Sequence, residues 1–529
     1  MNMFELLMER SNYLPDDDVA VELRGDPNPD GVITISHLGH EVQTFPANAP
    51  LIKLGNWSPG GYGLTWDCEG ERRATAAFRV EPFPGARLFY GFVSEYPEQP
   101  DLSGMTELAR RLHLNAIQFY DWAFRHADLL GGGRQYTDPL GRPVHLDSVA
   151  SMIDAFAAIG AVAHGYAAVY AVGDHEWERW SPLALLDAEG NPYALADFLR
   201  IIDCSDPQWL SHFTQELKST SRHPGFVAFH LDQYGQPKWG QRADGVLVDV
   251  EKAFSTFVKH IADELPDVRL VFNNVNDFPS WSSTSWPQSA VYIEPWAPND
   301  NLGSLASMIT AARNRGSLPV CLAAYQSVYR TSSREEADLA AQFTMATCFS
   351  HGATQLLAGQ SHSILVDPYY VDHHDASPST VAMLAEWYDF AAQWDEILFD
   401  PEINDITQSH AGTYNDDIDV EFGEAQITSS PEPGALWRRV TRTSVGDVVH
   451  VVNLVGQKDT LWDAPKSHPQ NIGIGRLRIR CRRAGRLPEV QVLSPGASPV
   501  RLNVEDRGTH AEATLPSPSI WQVIHIVDK

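Results

Sequence analysis

Two short segments of the 529-residue chain end an apolar run with a carboxylate. Asp232 ends the run FVAFHLD, and Glu294 ends the run AVYIE and precedes Pro295 and Trp296. Burying a carboxylate is costly unless it is paired or hydrogen-bonded, so acids in such a setting are candidates for acid, base or nucleophile chemistry. Taken singly, each acid could also belong to a surface loop or to an internal ion pair.

Eight apolar segments have the length and the bounding residues of β-strands. They span residues 88–93, 116–120, 161–169, 226–231, 270–274, 290–294, 318–324 and 354–357. Helical patterns separate them: an apolar stripe from Val149 to Ile159 follows a start signal at Asp147, and a capping box at Ser332 or Ser333 begins a later helix.

Strands that alternate with helices pair in parallel, because antiparallel hairpins need no crossover helix. Eight of them fit a closed (β/α)8 barrel, an α/β fold, better than an open doubly wound sheet, and no GxGxxG motif follows an early strand. The chemistry of such barrels lies where strands end and the following loops begin. Asp232 and Glu294 would then project from the fourth and sixth strands into one mouth. This shared position makes a surface-loop acid or an internal ion pair a weaker explanation for either residue.

The segments on either side of the predicted barrel alternate apolar and polar residues. Residues 1–86 contain short runs such as VAVEL and VITIS between Pro, Gly, Asn and Asp, which is typical of a small β-sandwich. Runs such as VVHVVN near the end of the chain again predict strands. We therefore predict a β-sandwich over residues 1–86, the catalytic barrel over residues 87–405 and a C-terminal β-sandwich over residues 406–529.

The net charge limits the class of partner. A formal charge of −29 argues against binding to nucleic acid or to an anionic membrane and favours a neutral or cationic ligand, although solubility or adaptation to salt explains it more simply. No apolar run reaches the roughly 20 residues of a membrane-spanning helix. The start, MNMFELLMERSNYLPDDD, lacks a secretory signal, so we expect a cytoplasmic protein, or a secreted one whose leader has been removed. The oligomeric state stays open.

Neither a metal nor an organic cofactor is expected. The five cysteines, at positions 68, 204, 321, 348 and 481, are scattered without CxxC spacing, which predicts free thiols. The cluster His362, His373 and His374 with Asp372 and Asp375 has irregular spacing, and no HExxH motif accompanies it. A solvated loop therefore explains this cluster better than a metal site.

Two carboxylates in one pocket are the recurring apparatus of glycosidic-bond cleavage. One attacks or stabilises the anomeric carbon, and the other protonates the leaving oxygen and later activates water. The apolar surroundings of Glu294 would raise its pKa and keep it protonated, whereas hydrogen-bond donors would keep Asp232 ionised. The 15 Trp, 17 Tyr and 22 Phe residues add a hint of the same kind, because aromatic faces stack on sugar rings, although most aromatic side chains fill cores.

Several motifs along the chain together resemble a known family. They are NAIQFYDW at residues 115–122, HLDQYG at 230–235, VYIEPW at 291–296, LAAY at 322–325 and HGATQLLAG at 351–359. These motifs resemble glycoside hydrolase family 66, which holds endo-dextranases and cycloisomaltooligosaccharide glucanotransferases. NYLP at 12–15 and PGGYG at 59–63 look like the N-terminal immunoglobulin-like domain of that family, and the residues after the barrel look like its C-terminal β-domain.

The resemblance implies a retaining, endo-acting hydrolase of α-1,6-linked glucan, such as dextran or isomaltooligosaccharides, that works through a covalent glycosyl-enzyme. It implies that Asp232 is the nucleophile and Glu294 the acid/base, with the two carboxyl groups roughly 5 to 6 Å apart. An α-glucan oligosaccharide or polysaccharide would then be the partner of the site.

Nine further residues at strand ends are predicted to line the substrate-binding pocket, although each could instead serve core packing. They are Tyr120, Asp121, Trp122, His164, Tyr166, Gln233, Asn274, Trp296 and Tyr325. Asp121 is the strongest of them, because a charged residue in a barrel mouth needs partners and sugar hydroxyls can provide them.

Two other functions remain open. A sugar hydroxyl could intercept the covalent intermediate in place of water, which would make the protein a glucanotransferase that forms cyclic or elongated isomaltooligosaccharides. Cyclising members of the family carry a large carbohydrate-binding insertion in the barrel, which this chain lacks, and that favours hydrolysis. The chain is short for the family and its loop LAGQSHSILVDPYY departs from the expected pattern, so short or unusual oligosaccharides are further candidate substrates. A non-catalytic sugar-binding barrel is disfavoured because both carboxylates are present.

Overall fold

The computed structural model describes residues 4–25, 30–196, 198–412, 414–481 and 486–528. At its centre, eight parallel strands follow one another in chain order around a nearly closed barrel, which confirms the predicted fold class. The strands are β1 (Tyr90–Val93), β2 (Ala116–Phe119), β3 (Val162–Ala168), β4 (Ala228–Asp232), β5 (Arg269–Val275), β6 (Ala290–Glu294), β7 (Val320–Leu322) and β8 (Ala353–Gln355). Each of them overlaps its predicted segment.

Side-chain and loop contacts join the two ends of this sheet. Thr354 in β8 donates its hydroxyl to the carbonyl of Leu88, 2.5 Å away. The N–H of Gln360 donates to the carbonyl of Phe92 in β1 at 2.7 Å. The barrel thus closes between β8 and β1 through these contacts and not through regular backbone pairing of the two strands.

Helices connect the strands. They are α1 (Leu102–Arg111), α2 (Leu146–Ala158), α3 (Pro207–Arg222), α4 (Val250–Glu264), α5 (Leu302–Arg315), α6 (Arg334–Ser350) and α7 (Pro378–Gln393), with the short helices Asp395–Leu398 and Thr407–His410 after α7. β5 and β6 are joined by the four-residue helix Ser280–Ser283, because residues 276–289 are rich in Ser, Pro and Trp and offer no apolar stripe. Among the described residues, none of the helices combines the length and the apolar character that crossing a membrane requires.

Polar side chains cap several of these helices as the sequence indicates. Asp249 accepts a hydrogen bond from a backbone N–H in the first turn of α4, and Ser333 forms a capping box with Glu336 at the start of α6. The predicted start of α2 is shifted, because this helix begins at Leu146. Asp147 therefore lies inside the first turn, where the helix dipole favours a negative charge.

The loops that follow the strands contain short elements of their own. They are Gln135–Thr137 and Pro143–His145 after β2; Ala171–Gly173, Trp177–Trp180, Ser181–Leu183, Ala194–Leu195 and Leu199–Ile201 after β3; Trp239–Gln241 and Leu247–Asp249 after β4; Val328–Thr331 after β7; and Ala358–Gly359, Ser363–Ile364, Tyr370–Asp372 and His374–Asp375 after β8. These additions build up the rim of the barrel at the carboxyl ends of the strands, where the predicted site lies.

A cluster of polar aromatic side chains fills the barrel interior. The hydroxyl of Tyr90 lies 3.1 Å from Nδ1 of His230, and the ring of His230 meets Tyr292 edge-on with the centroids 4.7 Å apart. His164 contacts Tyr90 in the same manner at 5.3 Å. Because large rings from four different strands interlock, the floor beneath the strand ends is densely packed.

The residues before the barrel form two antiparallel sheets around their own apolar core. One sheet contains Glu5–Met8, Val19–Arg24 and Leu51–Gly55, and the other contains His40–Pro46, Val32–His37, Gly60–Cys68 and Glu71–Val80. The GGYG motif lies in the second sheet and packs against α7. A Cβ at Gly61 would lie only 2.3 Å from the carbonyl oxygen of Ala392, so this close approach requires glycine.

The residues after the barrel form two further sheets, mostly antiparallel, around a third core. One contains Asn404–Asp405, Ile427–Thr428, Leu436–Thr443, Gly446–Asn453, Glu489–Leu493, Val500–Arg501 and Trp521–Val527; the other contains Ile418–Glu421, Gly475–Arg480, Val504–Asp506 and His510–Leu515. A loop of this region also reaches the barrel. The carboxylate of Asp463 accepts hydrogen bonds from the hydroxyl of Ser327 and from the N–H of Val328, so it braces the loop that follows β7.

Aromatic packing between α3 and α4 predicts the cost of truncating one ring. Phe213 of α3 is fully buried, and its centroid lies 5.5 Å from that of Phe257 in α4. Phe213→Ala should lower the free energy of unfolding by about 3–5 kcal/mol, because the lost ring leaves a cavity. Guanidinium denaturation measures the change. The control Phe83→Ala removes a ring that is 62% exposed and should cost less than about 0.5 kcal/mol. Equal losses in both variants would contradict the packing role.

Candidate active site

Asp232 is the last residue of β4 and Glu294 is the last residue of β6, with β5 between them. The side chain of Asn273 in β5 links the two acids. Its Nδ2 donates to Oδ1 of Asp232 and to Oε2 of Glu294, at 2.7 Å in each case. Two oxygens that share one nitrogen in this way cannot be more than about 5.4 Å apart. The two carboxylates therefore face each other across a single amide group.

Two tyrosine hydroxyls hold the remaining carboxylate oxygens. Tyr166 of β3 donates to Oδ2 of Asp232 at 2.7 Å, and Tyr325, which follows β7, donates to Oε1 of Glu294 at 2.6 Å. Each of the four carboxylate oxygens thus accepts at least one hydrogen bond. Among the residues that the structure describes, neither Asp232 nor Glu294 forms an ion pair with a cationic side chain. No ion pair therefore prevents the two carboxyl groups from reacting with a ligand.

Burial controls the protonation of this pair. Burial, together with the charge of Asp232, raises the pKa of Glu294 to about 7, while the hydrogen bond from Tyr325 opposes the shift. Burial also raises the pKa of Asp232, against the hydrogen bonds from Asn273 and Tyr166. Because the Asp232 charge contributes to the shift of Glu294, Asp232 ionises first and Glu294 keeps its proton until near neutral pH. One ionised and one protonated acid therefore face the same cavity.

A cavity of about 240 Å³ opens above the pair. Six of the nine predicted substrate-binding residues line it: Tyr120, Asp121, Tyr166, Gln233, Trp296 and Tyr325. The pKa of Asp121 rises to about 7, because the residue is buried and lies near Asp138. The amide of Gln233 donates to the carbonyls of Asn273 and Phe278, so this side chain supports β5 as well as the cavity wall.

The other three predicted residues lie elsewhere. The indole of Trp122 is fully buried against Phe226 and donates to the carbonyl of Tyr166. His164 lines a second cavity, at the opposite end of the barrel. Asn274 donates to the carbonyl of Tyr292 and accepts from the Ser283 hydroxyl, so it packs toward the helix between β5 and β6.

Sequence analysis missed the residue between the two acids. Asn273 and Asn274 are neighbours in β5, and because side chains alternate along a strand only one of them can face the barrel interior. The buried ring of Phe272 packs outward against Phe254 of α4, which assigns Asn274 to the outer face and Asn273 to the inner one. The three residues before Asn273 are all apolar and buried, so the sequence pattern holds no signal for which asparagine faces inward.

Two aromatic residues at the cavity were also missed. His230 precedes Asp232 by two residues and therefore shares its face of β4, where burial lowers its pKa to about 3 and keeps the ring neutral. Tyr370 stacks on Tyr120 with the centroids 4.3 Å apart, and its hydroxyl lies 2.9 Å from that of Tyr292. It belongs to the loop LAGQSHSILVDPYY, in which the sequence pattern pointed only to His362.

The histidine-rich part of the same loop does not assemble a metal-binding cluster. Within the described ranges, no three His, Cys, Asp or Glu side chains come together in a way that could hold a metal ion. Nδ1 of His373 lies 3.0 Å from the carbonyl oxygen of Tyr370, and the ring of His374 packs on Tyr329.

A parallel barrel with two carboxylates facing each other at the carboxyl ends of its strands is the arrangement by which many enzymes act on glycosidic bonds. Comparison with protein families gives the assignment within that class. The model of glycosyl hydrolase family 66 matches residues 69–525, and the chain belongs to this family.

Relatives of known activity share part of the chain. A cycloisomaltooligosaccharide glucanotransferase of Niallia circulans is 26% identical over 314 residues, which are 53% of this chain and 31% of the relative. A second glucanotransferase of that organism is 25% identical over 332 residues, which are 56% of this chain and 33% of the relative. In each case the match therefore spans about a third of the length of the curated relative.

Solved structures show the same fold. A Paenibacillus cycloisomaltooligosaccharide glucanotransferase, complexed with cycloisomaltoheptaose, matches 99% of this chain and 100% of its own with a TM-score of 0.85 at 16% identity. A maltogenic α-amylase of Thermotoga neapolitana matches 84% of this chain and 99% of its own with a TM-score of 0.53 at 9% identity. The first of these likenesses covers the flanking sheets as well as the barrel.

The hydrogen bond from Tyr325 to Glu294 predicts a shift of the pH profile. Tyr325→Phe removes a donor that stabilises the ionised carboxylate, so the pKa of Glu294 should rise further. Activity that needs protonated Glu294 is lost as the pH rises through this pKa. The alkaline limb of kcat/KM should therefore move to higher pH in the variant.

A matched control removes a tyrosine hydroxyl outside the cavity. Tyr329 donates to the carboxylate of Asp338 at 2.9 Å, and Tyr329→Phe should leave the alkaline limb in place. An unchanged limb in Tyr325→Phe, or one that moves to lower pH, would show that Glu294 does not govern it.

Proposed function

We propose that the protein is a retaining, endo-acting glycoside hydrolase that cleaves α-1,6-glucosidic linkages of dextran or isomaltooligosaccharides. The observation that carries the proposal is the spacing of Asp232 and Glu294 across the amide of Asn273. The two hydrogen bonds limit the distance between the linked oxygens to about 5.4 Å at most, which favours the roughly 5–5.5 Å between the carboxyl groups of retaining enzymes over the roughly 6.5–9.5 Å of inverting ones.

In the first step, protonated Glu294 donates its proton to the glycosidic oxygen while ionised Asp232 attacks the anomeric carbon. The bond from the anomeric carbon to the leaving oxygen breaks, and an ester between the sugar and Asp232 forms. The raised pKa of Glu294, about 7, suits the acid, because the group still carries its proton near neutral pH.

In the second step, Glu294 is ionised and removes a proton from a water molecule that attacks the anomeric carbon. The ester breaks, Asp232 regains its charge, and the sugar leaves with its original configuration. Tyr166 and Asn273 donate hydrogen bonds to Asp232, so they stabilise its charge when it acts as leaving group.

The α-1,6-glucan substrate is supported by family membership and by the cavity wall. The relatives are enzymes named for cycloisomaltooligosaccharides, and one of them was solved with cycloisomaltoheptaose. The exposed ring of Trp296 and the neighbouring Tyr325, with centroids 5.7 Å apart, offer faces on which sugar rings can stack. Asp121 lies on the wall and adds a carboxyl group to it.

Transfer to a sugar hydroxyl is the second candidate activity. It is favoured by the names of the two curated relatives, both of which are glucanotransferases. Hydrolysis and transfer share the covalent intermediate and differ only in whether water or a sugar hydroxyl attacks it. The sequence matches cover about a third of those relatives, whereas a solved glucanotransferase is matched over 100% of its chain, so coverage does not favour either activity.

Replacing either acid tests the two roles. Asp232→Asn should lower kcat on dextran by about 10³-fold or more, because the amide cannot form the glycosyl ester. Glu294→Gln should lower it by about 10²–10⁴-fold, with a smaller loss for a substrate whose leaving group needs no protonation. Asp338→Asn, a change of a carboxylate outside the cavity, is the control. An Asp232→Asn variant that keeps most of its activity would remove the nucleophile assignment.

The products distinguish hydrolysis from transfer and retention from inversion. With dextran, isomaltooligosaccharides and cyclic isomaltooligosaccharides as substrates, we expect linear products resolved by chromatography. Proton NMR during the first turnovers should show the α-anomer before mutarotation. Cyclic or elongated products would establish transfer instead, and an initial β-anomer would exclude retention.

A further inference from the structure

Three large apolar side chains lie exposed on the loops that follow β4 and β5. Trp239 and Leu247 belong to the hairpin after β4, and Trp281 belongs to the short helix between β5 and β6. Their exposed fractions are 54%, 67% and 51%. We call Trp239, Leu247 and Trp281 the rim platform. Neighbouring exposed apolar groups at a barrel mouth often mark a binding surface.

The hairpin turns this apolar face outward. Gly240 packs so closely on Leu185 that an added Cβ would lie 2.8 Å from it, and Val248 is buried. Side chains alternate along a strand, so Trp239 and Leu247, at the intervening positions, point away from the protein. The exposure of Trp239 and Leu247 therefore follows from the way the two strands of the hairpin pair.

Trp281 is held in a defined orientation although half of it is exposed. Its Nε1 donates to the carboxylate of Glu251 at 3.1 Å, and its ring meets Phe278 edge-on with the centroids 5.6 Å apart. An aromatic face that is fixed before a ligand arrives loses little conformational entropy on binding.

A series of contacts through Phe278 connects the platform to the catalytic cavity. The N–H of Phe278 donates to the carbonyl of Val275, a residue of the cavity wall. The ammonium of Lys238 lies 3.3 Å above the centroid of the Phe278 ring, and Trp239 is the next residue along the chain. Phe278 is therefore the common neighbour through which Trp281 and the hairpin adjoin the wall beside Asp232.

We propose that the rim platform binds glucose units of an α-glucan chain that extends beyond the catalytic cavity. The proposal rests on the proposed function and adds to it the surface over which the glucan leaves the catalytic cavity. The cavity, about 240 Å³, is smaller than the roughly 300–1,000 Å³ of common ligand pockets, so a long glucan extends beyond it, and the platform adjoins its wall. The uncharged rings suit the apolar faces of sugars, and Glu251 and Lys238 lie where hydroxyls could bond.

Calorimetric titration of dextran and of isomaltotriose tests the platform. The inactive background Asp232→Asn prevents turnover, and Trp239→Ala, Trp281→Ala and the control Phe83→Ala are each added to it. We expect each Trp change to weaken dextran binding by about tenfold, the effect of one aromatic stacking contact. Isomaltotriose, which is short enough to stay near the cavity, should lose less affinity than dextran. Thermal unfolding of each variant checks that the fold is intact.

Each outcome decides one of the two proposals. If dextran binds as well in both Trp variants as in the Phe83→Ala control, or if both ligands lose affinity equally, the platform does not bind the chain. If the platform instead pairs two copies of the protein, sedimentation will show a dimer that the Trp variants abolish, and the proposal fails. Failure of the proposed function itself appears separately, as the absence of wild-type turnover on both glucans.

Discussion

Two acidic side chains at close range in a site shielded from water repel each other once both are ionised. At about 5 Å and an effective dielectric constant of about 20, this repulsion amounts to about 3 kcal/mol. The protein meets it in two ways: Glu294 retains a proton up to a pH of about 7, and Asn273 donates to both acids from between them. The geometry of the mouth depends on this arrangement, because Asn273 could not donate to both carboxylates if Asp232 and Glu294 were farther apart.

The three elements that carry the site are adjacent, and their order explains the geometry. β5 lies between β4 and β6 in the sheet, so an inward-facing side chain of β5 can reach the last residues of both neighbours, as the amide of Asn273 does. Gln233 then binds the carbonyls of Asn273 and Phe278, which ties the end of β5 to the residue after Asp232. The nucleophile candidate and the bridging amide therefore support each other through the backbone.

The flanking sheets also bear on the site. Tyr325, the donor to Glu294, is followed by Ser327 and Val328, which donate hydrogen bonds to the carboxylate of Asp463 in a loop of the C-terminal region. The loop after β7 is thereby held from outside as well as from within the barrel. Preorganised donors of this kind contribute more than mobile ones, because no reorganisation is needed when charge moves between the acids.

The sequence by itself determined the barrel, the eight strand positions and the placement of Asp232 and Glu294 at strand ends, because apolar periodicity and turn residues are local properties of the chain. Only the tertiary structure decided that Asn273 rather than Asn274 faces the acids, that Trp122 and His164 lie away from the cavity, and that Tyr370 reaches Tyr120 from a distant loop. Those contacts depend on which face of each strand turns inward and on how a long loop folds back, and both are settled by packing between segments far apart in the chain.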